Sequence, residues 1–249
     1  MPSVLPSSAV LLAAGAVAGA VGAAGGITSL VSYSALLAVG VPPLGANVAN
    51  LVAAVACWPG SALTSRRELA DVKCVLTPAL TVASCGAAAG AALLLNTPPG
   101  TFSRVVPFLV AAASLVLLAQ PWLTARLRSQ RHRARALTLP LLGLVAIYAG
   151  YFGAGSGILL LAVLLVLIDD RLPAANAIKN MMLGVGATVS AVIFVVGGPV
   201  DWAVVLPLAA GLFVGSAFGP VIARRVPSTV VRWVVAALGI VLAAGLWRT

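Results

Sequence analysis

The stretch GYFGAGSGILLLAVLLVLI, residues 150–168, crowds three glycines and Ser156 into 153–157 and then runs apolar to Ile168. As helix, 157–168 spans about 18 Å at 1.5 Å per residue. That falls short of a hydrocarbon core about 30 Å thick. A related stretch, GAAGGI at 22–27, precedes the apolar run 27–40, about 21 Å long as helix. Glycines that interrupt apolar helices at membrane depth are tolerated only where protein or a polar cavity surrounds them. Each cluster therefore predicts a broken or re-entrant helix pair, entering and leaving on one face or crossing twice.

The rest of the chain supports a membrane setting. Of 249 residues, 61% are hydrophobic and 8% charged, and the mean hydropathy is +1.13. A soluble domain needs roughly 25% charged residues to solvate its surface. The apolar runs fall at 8–24, 27–40, 44–63, 74–95 and 105–123, then at 138–152, 157–168, 174–196, 202–223 and 233–247. They are long, rich in Ala, Leu, Val and Gly, and do not alternate, so helices are expected and not barrel strands.

Between the two sets lies a basic linker, 124–137, with Arg126, Arg128, Arg131, His132, Arg133 and Arg135. The net charge of +10 sits in short loops of this kind, as in cytoplasmic loops of membrane proteins, and does not indicate nucleic acid. Only Lys73 and Lys179 among the basic residues are lysine, a bias that points to a GC-rich bacterial genome. The N-terminus lacks the basic n-region of a secretory signal, so the first run is expected to belong to the mature chain.

The two sets of runs lie over one another. Gly22–Ile27 matches Gly153–Ile158, and Pro43 and Asn50 match Pro173 and Asn180 at equal spacing. Asp71 matches Asp201; Pro78, Gly86 and Gly90 match Pro207, Gly215 and Gly219; Pro99, Thr101 and Arg104 match Pro227, Thr229 and Arg232. The offset drifts only from 131 to 128, and internal repeats of this kind typify transporters.

Basic-residue counts select the orientation. Parallel repeats would split the basic residues nine to five between the two faces. With odd parity in each half the split becomes twelve to two, leaving only Arg104 and Arg248 on the sparse side and Lys179 embedded. The positive-inside rule favours the second arrangement. The expected fold is an all-α integral membrane protein of two inverted repeats, 1–123 and 138–249. Each is a broken pair plus three long transmembrane helices, giving 8 to 10 membrane segments. Both termini are expected outside, and the loops near 66, 130, 171 and 225 in the cytoplasm.

The polar residues left in apolar surroundings are the candidate site. Freed N–H groups and the positive dipole end at a half-helix start attract anions. The matched clusters therefore nominate Gly25, Gly26, Gly155, Ser156 and Gly157, with Thr28, Ser29 and Ser32 as hydroxyl donors. Close helix packing is the alternative role for such glycines. Asn50 and Asn180 fit equally a substrate ligand and interhelical glue. Lys179 is either a functional intramembrane cation or a side chain whose stem snorkels to the interface. Asp71 and Asp201 are expected to begin equivalent helices and to cap them; Arg104 and Arg232 are expected to anchor helices at the interface.

Catalytic readings lack their residues. Ala154 stands where the GxSG of intramembrane serine proteases has glycine, and the single histidine, His132, is in the linker. There is no P-loop, and ligands for zinc or haem are wanting. Cys57, Cys74 and Cys85 have no CxxC spacing and are expected as small apolar helix residues. Neither a cofactor, a metal nor an enzymatic activity is expected.

The motifs GAAGGI from Gly22, VPP from Val41 and ANVAN from Ala46 resemble the TauE/SafE sulfite exporter family of membrane transporters. So do GYFGAGSGILLL from Gly150, NAIKN from Asn176 and GGPVDW from Gly197, and the likeness covers nearly the whole chain. It implies secondary transport of a small sulfur-containing anion such as sulfite, a sulfonate or sulfoacetate, coupled to protons or sodium, in the bacterial plasma membrane. Asn47 and Asn50 replace a more hydroxyl-rich stretch of that family, which implies a shifted substrate preference. An anion channel and a non-transporting scaffold or partner subunit are the alternatives.

Overall fold

The structure is a computed structural model that describes residues 4–25, 27–59, 62, 65–129, 138–168, 171–198, 200–223, 233 and 237. Gly26, most of the linker, Arg224, Arg225, Arg232 and the apolar run 233–247 beyond two of its residues lie outside the described residues.

The described chain is helical, without strands. In the first half it forms α1 (Val4–Gly25), α2 (Thr28–Ala38), α3 (Pro43–Ala53), the short α4 (Arg66–Asp71), α5 (Lys73–Leu95) and α6 (Pro99–Ser129). The second half forms α7 (Thr138–Tyr151), α8 (Ser156–Leu167), α9 (Leu172–Gly197) and α10 (Trp202–Ala223).

Local chemistry sets these boundaries. α2 ends in a Schellman motif: Gly40 takes φ +86°, and the N–H groups of Gly40 and Val41 donate to Leu37 and Leu36 carbonyls. Pro43 then starts α3, where its missing N–H costs nothing. α7 and α8 are separated by Gly153 and Gly155, both at positive φ. The helix breaks expected at the two glycine clusters are thus present, with α2 and α8 only 11 and 12 residues long.

Two expectations need correction. The run 44–63 is not one α-helix: α3 stops at Ala53 and a 3₁₀ turn follows over Ala54–Cys57. Pro59 contributes to this, because it has no N–H to donate to the Val55 carbonyl four residues back and its ring crowds that carbonyl, while Trp58 itself keeps α dihedrals. The first residues of the basic linker, 124–129, continue α6 as helix. Asp71 closes α4 and does not open α5, whose N-cap residue is Val72. Asp201 does cap α10, accepting from the Ala203 N–H at 3.0 Å.

The short helices form the centre and the long ones the wrapping. α8 is buried along almost its whole length, packed by α6, α7 and α9. Large apolar side chains face outward instead, among them Val17 on α1, Phe108 and Leu115 on α6, Leu144 on α7, Val196 on α9 and Leu206 on α10. An apolar surface on this scale is a membrane face. Lys73–Leu95, Pro99–Val116 and Pro173–Gly197 are each long and apolar enough to cross a bilayer.

Helix pairing crosses between the halves. α1 packs chiefly on α10, and α7 packs chiefly on α5. Bare glycine backbone makes both approaches close. A Cβ on Gly15 or Gly19 would come within 2.5 Å of the Leu208 or Leu212 carbonyl oxygen, and one on Gly86 within 2.5 Å of the Ala146 Cβ. These are the small-residue contacts by which helices associate in lipid.

Candidate functional site

Both breaks open on one cavity of about 100 Å³. That is room for roughly three waters at liquid density, about 30 Å³ each. Its wall takes residues from both halves. Thr28 and Ser29 begin α2, Ser156 and Gly157 begin α8, Asn180 comes from α9 and Ser216 from α10. Cys57 and Trp58 close it from the end of the 3₁₀ turn, and small residues such as Gly22, Ala87 and Gly150 complete it. Among the described residues no lining residue is ionic.

The two half-helix starts shape its electrostatics. Ile27 and Gly155 are the N-cap residues of α2 and α8, and neither provides a side-chain cap. Each N-terminus carries the equivalent of about +0.5 charge. Gly155 holds φ +79°, and a Cβ there would also come within 3.2 Å of the Ala113 Cβ on α6. Glycine therefore fits this turn on two counts. Ser156, itself buried, donates through Oγ to the Gly153 carbonyl at 2.7 Å.

The nominated residues divide into two groups. Thr28, Ser29, Ser156, Gly157 and Asn180 line the cavity. Ser32 and Asn50 do not; they bond each other across α2 and α3, Ser32 Oγ to Asn50 Oδ1 at 2.5 Å. Ser32 also lies 2.9 Å from the Thr28 carbonyl. One hydroxyl proton cannot serve both acceptors, so turning the Asn50 amide to donate into Ser32 Oγ satisfies the chain of three. Gly155 supports the wall from behind as the α8 N-cap, and Gly25 is the last residue of α1. Lys179 is fully buried, absent from the cavity wall, and donates to Asn176 Oδ1 at 2.7 Å on its own helix.

Other contributors carry no motif that marks them. Asn47 is fully buried and ties α3 to the second break, its Nδ2 donating to the Tyr151 carbonyl at 2.8 Å. Tyr148 OH donates to the Ala154 carbonyl at 2.5 Å, clamping the turn. Phe152, fully buried, meets Tyr33 edge-on with ring centroids 5.2 Å apart and Phe102 at 6.5 Å. These aromatics hold the break from α2 and α6; the sequence offers only the GYF preceding the glycines as a hint.

A helical membrane protein with broken helices around a partly open, mainly apolar cavity that holds a few polar groups belongs to the general class of polytopic transport proteins. The family model described as Sulfite exporter TauE/SafE matches residues 8–246, and the chain belongs to that family of membrane transporters. A Haemophilus influenzae protein described as "Probable membrane transporter protein" is 27% identical over 240 residues, covering 95% of this chain and 92% of the relative. A Sinorhizobium protein, "Probable membrane transporter protein ORF9", is 28% identical over 241 residues, or 96% and 91% of the two chains. "Probable membrane transporter protein YfcA" of Escherichia coli K12 is 27% identical over 208 residues, or 81% and 75%. No solved structure matches.

Proposed function

We propose that the protein is a secondary transporter that moves a small sulfur-containing anion, such as sulfite, a sulfonate or sulfoacetate, across the bacterial plasma membrane by alternating access. The observation that carries this reading is the convergence of two uncapped half-helix N-termini on one cavity. Together they offer about one unit of positive charge, with Thr28, Ser29 and Asn180 to orient the ligand. The described part of the wall has neither carboxylates to repel an anion nor cations to trap it.

In this reading residues 1–123 and 138–249 are inverted repeats of 8 to 10 membrane segments in all, joined through a cytoplasmic linker, with both termini outside. The matched ladder of residues, the twelve-to-two distribution of basic residues and the exchanged pairing of α1 with α10 and α7 with α5 support it. Rocking one half against the other would expose the cavity alternately to each side. Protons or sodium are the coupling ions expected of such a carrier.

Solid-supported-membrane currents on purified protein test the function. Small sulfur oxyanions should give saturable currents, and Asn180→Ala and Ser29→Ala should each weaken the apparent affinity by about tenfold or more, the worth of a lost hydrogen bond to a charged ligand. Unaltered affinity in both variants would remove the cavity as the binding site. Currents that rise linearly with concentration would indicate a channel.

A further inference from the structure

Among the described residues Trp58 is the one aromatic side chain of the wall, which is otherwise made largely of glycine, alanine, serine and leucine with Met182. It follows the 3₁₀ turn Ala54–Cys57, whose hydrogen-bond geometry is poorer than that of an α-helix. Across the cavity α9 runs unbroken through Gly184 and Gly186, both of which line the wall. A Cβ added to Gly184 would collide with the Trp58 Cβ, lie 2.5 Å from its Cγ and 3.2 Å from its Cδ1. The root of the indole therefore rests on bare α9 backbone.

The two halves are unlike at this point. With Asn50 matched to Asn180, Ala54 falls on Gly184 and Trp58 on Thr188. The first half alone has the aromatic and the helix break; the second alone has the glycine seat. Packing around the small residues is backbone against backbone, so those walls have little room to yield. Free space for a ligand is therefore set where a large side chain stands on a weakly bonded turn.

We propose that Trp58, seated on Gly184, is a specificity-determining residue that sets the upper size of the transported anion. The proposal rests on the reading of this cavity as the anion site. It assigns the protein to compact oxyanions, with no carbon chain or a single carbon, over longer sulfonates that carry a second charged group. Trp58→Ala enlarges the space directly. Gly184→Ala leaves the indole intact but unseats it. Trp58→Phe keeps most of the bulk and serves as the conservative rescue.

The test is a set of solid-supported-membrane currents for sulfite, methanesulfonate and sulfoacetate on the wild type and these three variants. The wild type should favour sulfite over sulfoacetate by about tenfold or more, the scale on which an apolar wall discriminates size. Trp58→Ala should lower that ratio at least about fivefold, Gly184→Ala should move it in the same direction, and Trp58→Phe should restore it toward the wild-type value. A Trp58→Ala protein that carries sulfite current with an unchanged ratio overturns the size-setting role while leaving the transport reading intact. A wild type that passes none of the three anions overturns both.

Discussion

Lys179 and Asn180 are neighbours in sequence with different surroundings. Successive residues of a helix point about 100° apart, so Asn180 reaches the cavity while Lys179 is turned into the packing and satisfied by Asn176. The sequence marks both as polar residues in an apolar run; which one faces the cavity depends on the rotation of α9, which its neighbours set. Lys179→Met should therefore leave the apparent anion affinity within about twofold, against the tenfold or larger loss for Asn180→Ala, both read from concentration-dependent currents. Equal losses would place the ammonium in the site. Asn47 shows the converse case. Nothing in ANVAN distinguishes its two asparagines, yet Asn47 spans the halves and Asn50 stays within the first. Asn47→Ala leaves the Tyr151 carbonyl without its donor and should lower stability by about 1–3 kcal/mol, measured by thermal unfolding in detergent; no loss would make the tie incidental.

At the scale of elements, the second glycine-rich break was legible because the positive φ at Gly153 and Gly155 needs that residue type. The 3₁₀ turn after Ala53 was harder to see. Ala-Val-Ala-Cys contains no helix breaker, and alanine is the best helix former; the contributing residue, Pro59, lies beyond the turn. Close helix pairing was visible only as a surplus of glycines, with no indication of partners, since partner choice is a tertiary property. Glycines doing different jobs should respond differently. Gly19→Ala and Gly86→Ala force α1 from α10 and α7 from α5 and should cost about 1–3 kcal/mol each. Gly45→Ala, in α3 with only the Val41 Cγ1 at 3.8 Å, should be neutral or stabilising by up to about 1 kcal/mol. Thermal unfolding of the three variants side by side checks this, and a uniform response would contradict the assigned contacts.

Across the whole molecule, the sequence indicated two related halves, and the structure adds how they interlock. The first helix of each half leans on a long helix of the other, α1 on α10 and α7 on α5, so the cavity is bounded by both and belongs to neither. The inverted arrangement predicts sidedness. Single cysteines replacing Ser129 and Thr97 should react with an impermeant maleimide in intact cells only at position 97; labelling at 129 would reverse the proposed orientation. The existing Cys57 offers a probe of the central claim, since it lies on the cavity wall while Cys74 and Cys85 are exposed on α5. With those two replaced by alanine, the rate at which a small thiol reagent modifies Cys57 can be followed with and without the anion that drives current. The account predicts slowing of about fivefold or more at saturating anion, with half-protection at the concentration of half-maximal current. A modification rate indifferent to saturating anion would show that the anion is bound elsewhere.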